Sequence, residues 1–206
     1  MLKIILSSDA RSRAGGHNLP PLTNLGVAMK KIVLTFGLIA GAMLSAMMLL
    51  TLPFLDRIGF DKGEVIGYTT MVLAFLMVYF GVRSYRDNVA GGSVTFGRAF
   101  LVGLMITAVA SACYVATWQV IYYKIAPDFG EKYAAHAVEK AKKSGATEVQ
   151  IAATKKEMTE FMEMYKNPLV NIAITFLEPL PVGLLFTLVS AGVLSRKRRT
   201  AGAATA

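Results

Sequence analysis

The chain has 206 residues, of which 54% are hydrophobic and only 17% charged, and its 22 Lys and Arg against 13 Asp and Glu leave a net charge of +9. Soluble domains run at about 45–50% apolar and about 25% charged residues. A disordered chain, a disulfide scaffold (there is one cysteine) and a coiled coil are excluded, and the composition predicts a basic, all-α, polytopic membrane protein.

Residues 1–28 carry Arg11, Arg13, Gly15, Gly16, Pro20 and Pro21 without sustained periodicity, which predicts disorder. Met29 is followed by Lys30 and Lys31, a common start for a bacterial inner-membrane protein. Met29 is therefore the expected initiator, and residues 1–28 are read as a disordered or mis-annotated extension ahead of a membrane domain over 29–199.

Four runs approach or exceed the roughly 20 apolar residues that cross a bilayer: 32–55, 65–82, 99–123 and 169–194. The first three hold no charge and the last holds only Glu178. Lipid gives backbone groups no outside partner, so each run must be a helix, because a closed barrel shows alternating polarity instead. The first run is longer than the roughly 7–15 residues of a signal-peptide core and lacks an A-x-A site after it, so an uncleaved anchor is expected. Within it Gly37, Gly41 and Ser45 form a small-residue stripe that admits a close helix, by preference one of the same chain. Gly103, Thr107 and Ser111 give the third run a similar face.

The loops differ in content. Residues 56–64, with Gly59 and Gly63, read as a simple turn. The second loop has Arg83, Tyr85, Arg86 and Asp87, then Gly91 and Gly92 as helix breakers, with Ser93 or Thr95 available as the next helix cap. Arg83, Arg86 and Arg98 near a helix start suit anionic lipid headgroups, and without a GxxxxGK[ST] run they do not suggest a nucleotide. Residues 124–166 are too long for a structureless connection. There 128–143 reads as a helix, Ser144, Gly145 and Ala146 stop it, and Thr147 with Gln150 forms a capping box. The next helix lines up Ile151, Met158, Met162 and Tyr165 on one face, so a helical hairpin is expected between spans three and four.

Lys30, Lys31, Arg83, Arg86, Arg98, Arg196, Lys197, Arg198 and Arg199 crowd one side of the spans, against Arg57, Lys62, Lys124 and Lys166 on the other. The positive-inside bias puts both termini in the cytoplasm and the hairpin outside, with residues 200–206 as a disordered tail. Tyr79, Trp118, Tyr122 and Tyr123 fall where aromatic belts are expected. The basic excess is thus an orientation and anionic-lipid signal, and no nucleic-acid partner is expected.

The run from Gly81 through Arg83, Tyr85, Arg86 and Asp87, then Gly91, Gly92, Phe96, Gly97, Arg98, Phe100 and Gly103, resembles the cytoplasmic signature of a bacterial membrane family catalogued as domain of unknown function 4199. Pro181, Val182 and Gly183 with Ser190, Ala191 and a basic tail are similar to that family's last span. The resemblance covers about residues 29–199 and implies four helices in a bacterial inner membrane. It implies no activity.

Glu178 is the residue with most chemical content. It lies about 15 Å into the last span at roughly 1.5 Å per residue, where an ionisable group is costly and should face the bundle with a partner. Ser111, Thr107, Gln119 and Asn171 are the candidates, and with no Lys or Arg inside any span an uncharged Glu178 is expected. Pro179 and Pro181 withhold backbone donors from carbonyls near Thr175, which kinks the helix at the carboxyl. His17 and His136 lie on opposite sides of the membrane and Cys113 lies within a span, so no metal, cofactor or catalytic cluster is predicted. The expected role is a non-enzymatic structural or accessory component acting through protein and lipid contacts. The competing expectation is a proton-coupled carrier centred on Glu178, homodimeric through Gly37 and Gly41 because four helices are few for a carrier.

Overall fold

The computed structural model describes residues 22–195, with side chains from residue 25 onward. Expectations for residues 1–21, His17 among them, and for Arg196, Lys197, Arg198, Arg199 and residues 200–206 lie outside the described residues. Within them all regular structure is helical: α1 (Leu22–Thr51), a 3-10 turn (Leu52–Phe54), α2 (Leu55–Ile58), α3 (Phe60–Asn88), α4 (Phe96–Val120) prolonged by a π-helical turn (Ile121–Ile125), α5 (Phe129–Lys143), α6 (Glu148–Tyr165), α7 (Pro168–Leu177) and α8 (Leu180–Leu194).

Four stretches are long and apolar enough to cross a membrane: Leu25–Ile58, Phe60–Asn88, Phe96–Ile125 and Pro168–Leu194. They outrun the uncharged segments of the sequence because a charge ends an apolar run but not a helix. The second runs from Asp61 and Lys62 through Arg86 and Asp87. Gly63, expected in a turn, is inside α3, and the only break before it is Gly59 at φ +80°, a conformation that costs glycine little. Residues 22–28, expected without regular structure, are the first turns of α1. Thr23, Asn24 and Gly26 each disfavour helix by no more than about 1 kcal/mol, and propagation of an existing 30-residue helix outweighs that.

α4 is the axis of the bundle, packed on α1, α3, α7 and α8. Small residues set its seams. A Cβ built on Gly41 falls 2.6 Å from Cys113 Cβ, and one on Gly37 falls 2.7 Å from Val109 Cβ, so α1 lies on α4 at glycine distance. Gly103 meets Thr187 at 3.0 Å, and Gly183 has room for no side chain against Thr107. Overpacking of a seam this tight costs about 1–3 kcal/mol. The stripe of Gly37, Gly41 and Ser45 is therefore filled by α4, and Ser45 accepts a 2.7 Å hydrogen bond from Thr117. A dimer through Gly37 and Gly41 is thereby corrected: the helix of the same chain already occupies that face. Leu34, Leu38, Leu73, Leu76, Leu185 and Leu188 point outward instead, an apolar girdle around the bundle.

α5 and α6 pack on each other and sit across the end of the bundle where α1 stops and α3 begins. The turn holds Gly145 at φ +80°. Thr147 accepts from the Gln150 backbone while the Gln150 side chain accepts from the Thr147 N–H, closing the capping box. Ile151, Met158 and Met162 are half-buried and Tyr165 is buried, so the apolar stripe of α6 faces inward.

Candidate functional site

Pro179 and Pro181 carry no N–H for the carbonyls four residues earlier, Thr175 and Leu177, and the last span accordingly splits into α7 and α8 with Glu178 and Pro179 at the joint. The break turns Glu178 toward α4, where the Tyr114 hydroxyl donates to its Oε2 at 2.8 Å. None of the four expected partners does this. Thr107 bonds the Gly183 carbonyl and Thr187, Gln119 donates to Asn171 at 2.7 Å, and Ser111 Oγ has no partner. Sequence spacing does not tell which face of α4 meets α7, and Tyr114 went unnoticed for that reason. A signal was available: tyrosine belongs at span ends, so one placed mid-span, in an otherwise apolar run, needs a polar partner.

Thr175 is paired as well. Trp118 Nε1 donates to the Tyr165 hydroxyl at 2.9 Å, Tyr165 shares a 2.9 Å bond with Thr175, and Thr175 donates to Asn171 Oδ1 at 3.5 Å, where Gln119 also arrives. This chain ties α4, α6 and α7 together above Glu178. Interhelical bonds of this kind average about 0.6 kcal/mol each in a membrane.

The first half of α3 contributes no buried residue before Thr70, so α3 stands away from α7 at the end near α5 and α6. The space left is a cavity of about 480 Å³. Glu178 and Tyr114 are at its floor, Met47, Met48 and Met71 on its walls, and Phe129, Phe161 and Met162 of α5 and α6 over it. Glu178 is exposed into this space. Phe60 stacks edge-on against Phe129 and Tyr133 at 5.6 and 5.8 Å, which docks α5 on the start of α3.

Ion pairs reinforce the roof. Lys140 reaches Asp61 at 2.6 Å with His136 3.4 Å from the same oxygen, and Lys132 bridges Asp56 at 3.2 Å and Asp128 at 3.1 Å. The hydrogen bond and charge of Asp61 hold the Lys140 ammonium above its ordinary pKa, and Asp128 and Asp56 do the same for Lys132. Their stabilisation is whole at neutral pH and is lost as pH rises through the raised lysine pKa values; the Lys140 contact also lowers the Asp61 pKa, so that pair is lost again as pH falls through it. Both pairs are exposed, so salt weakens them.

The arginine motif lies at the opposite end. Asp87 is 2.7 Å from Arg86 and 3.6 Å from Arg83, while Tyr85 is buried in the core. Asp87 thus neutralises part of the charge expected to meet headgroups, and Arg98 remains exposed without an ion pair among the described residues. Gly91 and Gly92 take φ +69° and +86°, and Thr95 is the N-cap residue of α4 but its side chain accepts no capping hydrogen bond. Phe96 is exposed and stacks on Phe100 at 6.1 Å, and Gly97 has open space around it. No three His, Cys, Asp or Glu side chains gather as a metal site among the described residues.

Fold and site define an all-helical protein with four helical stretches suited to a membrane and a roofed cavity beside a carboxyl at a helix break. The chain belongs to the family described as protein of unknown function (DUF4199), whose model matches residues 35–196. The match takes in the arginine motif, the cavity and Glu178. No curated protein and no solved structure matches the chain.

Proposed function

We propose that this is a multi-pass protein of a bacterial inner membrane, with both termini cytoplasmic and α5–α6 on the outer face. It serves as a non-enzymatic accessory component that binds a molecule drawn from the membrane or its outer surface. The cavity over Glu178 carries this reading: it is of a size that encloses a small ligand, and mostly apolar walls surround a cluster of carboxyl and tyrosine side chains. Lys30, Lys31, Arg83, Arg86 and Arg98 at the other end support the orientation and contact with anionic headgroups.

Orientation is checked in a Cys113→Ala background by an impermeant maleimide on spheroplasts. Lys142→Cys in α5 is expected to react and Ser93→Cys in the arginine loop to stay silent until lysis; the reverse pattern contradicts the assignment. Binding is checked by native mass spectrometry of protein extracted from its own membrane. Gly67 lines the cavity with nothing within 4 Å of its Cβ position, so Gly67→Trp fills the space without a backbone clash. A non-covalent adduct present on the unaltered protein and lost in Gly67→Trp is expected, and an adduct-free protein contradicts the reading.

The helix break favours a second reading, a proton-coupled carrier in which Glu178 exchanges its proton with substrate. Since α4 fills the Gly37–Gly41 face, a second copy joins elsewhere. Proteoliposome flux that Glu178→Gln leaves unchanged contradicts it.

A further inference from the structure

The charges and rings of the cavity define what it takes. Its lining holds three carboxyls, Asp61, Glu64 and Glu178, and one lysine, Lys140. Lys140, 2.6 Å away, and the other basic side chain of the lining, His136, 3.4 Å away, are both spent on Asp61 at the rim. Glu64 makes no ion pair among the described residues, and Glu178 has a donor on Oε2 alone, leaving Oε1 without one. The interior is therefore acidic with no basic side chain free to balance it. Around those carboxyls stand Tyr68, Tyr114, Trp118 and Tyr122, whose ring faces attract cations at short range. Met47, Met48, Met71 and Met162 add unbranched, polarisable walls that adapt to more than one apolar shape.

We propose that the cavity is a binding site for a lipophilic organic monocation, an ammonium- or phosphonium-type charge on an aromatic or aliphatic body. The proposal rests on the reading of the cavity as a binding site and adds the class of ligand. The cation lies against Oε1 of Glu178 among the tyrosine rings and supplies the counter-charge that no residue of the four apolar runs supplies. Its apolar body lies along the methionines under α5 and α6. An anion meets Glu64 and Glu178 unshielded. A neutral amphiphile fits the walls but leaves Glu178 uncharged and gains no charge-assisted contact from it, whereas a cation pairs with the ionised carboxylate.

The single tryptophan of the chain lines the cavity, so its fluorescence reports occupancy directly. Full-length protein in nanodiscs is titrated with tetraphenylphosphonium, with neutral triphenylphosphine oxide and with the anion tetraphenylborate. Saturable quenching by tetraphenylphosphonium is expected, weakened at least about tenfold by Glu178→Gln as befits loss of a charge-assisted contact. Glu178→Asp should retain part of the affinity, and Gly67→Leu, which adds no second tryptophan, should remove it, with melting temperatures identifying any variant that fails to fold. If the neutral or anionic probe binds as tightly as the cation, or if folded Glu178→Gln binds the cation unchanged, the ligand class is overturned while the cavity stands as a site. If none of the three probes gives saturable quenching, the binding reading falls with it.

Discussion

Apolar helices in lipid gain nothing from hiding their leucines from one another, since the hydrocarbon around them is just as apolar. What holds them is close approach and hydrogen bonds, and in this chain both are concentrated on α4. On one half of its length Gly37 and Gly41 of α1 press against Val109 and Cys113, and Gly103 and Gly183 let α4 and α8 close on Thr187 and Thr107. On the other half the glycines give way to polar side chains: Thr117 to Ser45, Gln119 to Asn171, Tyr114 to Glu178. One helix thus carries a steric seam at one end and a polar seam at the other.

The cavity follows from that division. Where the contacts are glycine-sized, α1, α3, α4 and α8 leave no room, and Phe75, Val78, Val82, Val102 and Ile106 are wholly buried. Toward α5 and α6, α7 is held to α4 by hydrogen bonds, while α3 before Thr70 is held by neither device. The gap is closed by the aromatic contacts of Phe60 with α5 and by the Lys140–Asp61 and Lys132–Asp56 pairs rather than by helix packing. A carboxyl at the floor of such a space has Tyr114 on one oxygen and room on the other.

Much of the framework was legible because it follows from local rules. Uncharged runs near 20 residues mark helices wherever the backbone must pair within itself. Thr147 with Gln150 marks a helix start through bonds three residues apart, and Pro179 with Pro181 marks a break through missing donors. The parts that were not legible depend on rotation and on distance along the chain. Nothing local distinguishes Tyr114 from Ser111 as the partner of Glu178, because the two are about one turn apart and only tertiary packing selects the face. The cavity is assembled from the end of α1, the start of α3, and α4, α5, α6 and α7, so no segment carries its signature. Gly63 was misplaced for the opposite reason: a glycine reads as a turn locally, whereas here it gives Leu55 room beside α3.

The α1–α4 seam is the contact on which the rest depends, and disulfide trapping tests it most directly. The side-chain oxygens of Ser45 and Thr117 are 2.7 Å apart within one chain. In a Cys113→Ala background, Ser45→Cys with Thr117→Cys should oxidise in native membranes to an intramolecular disulfide, found by peptide mass spectrometry and running as a monomer on a non-reducing gel. A dimer cross-linked through position 45, or two thiols that stay free under the same oxidant, contradicts the account.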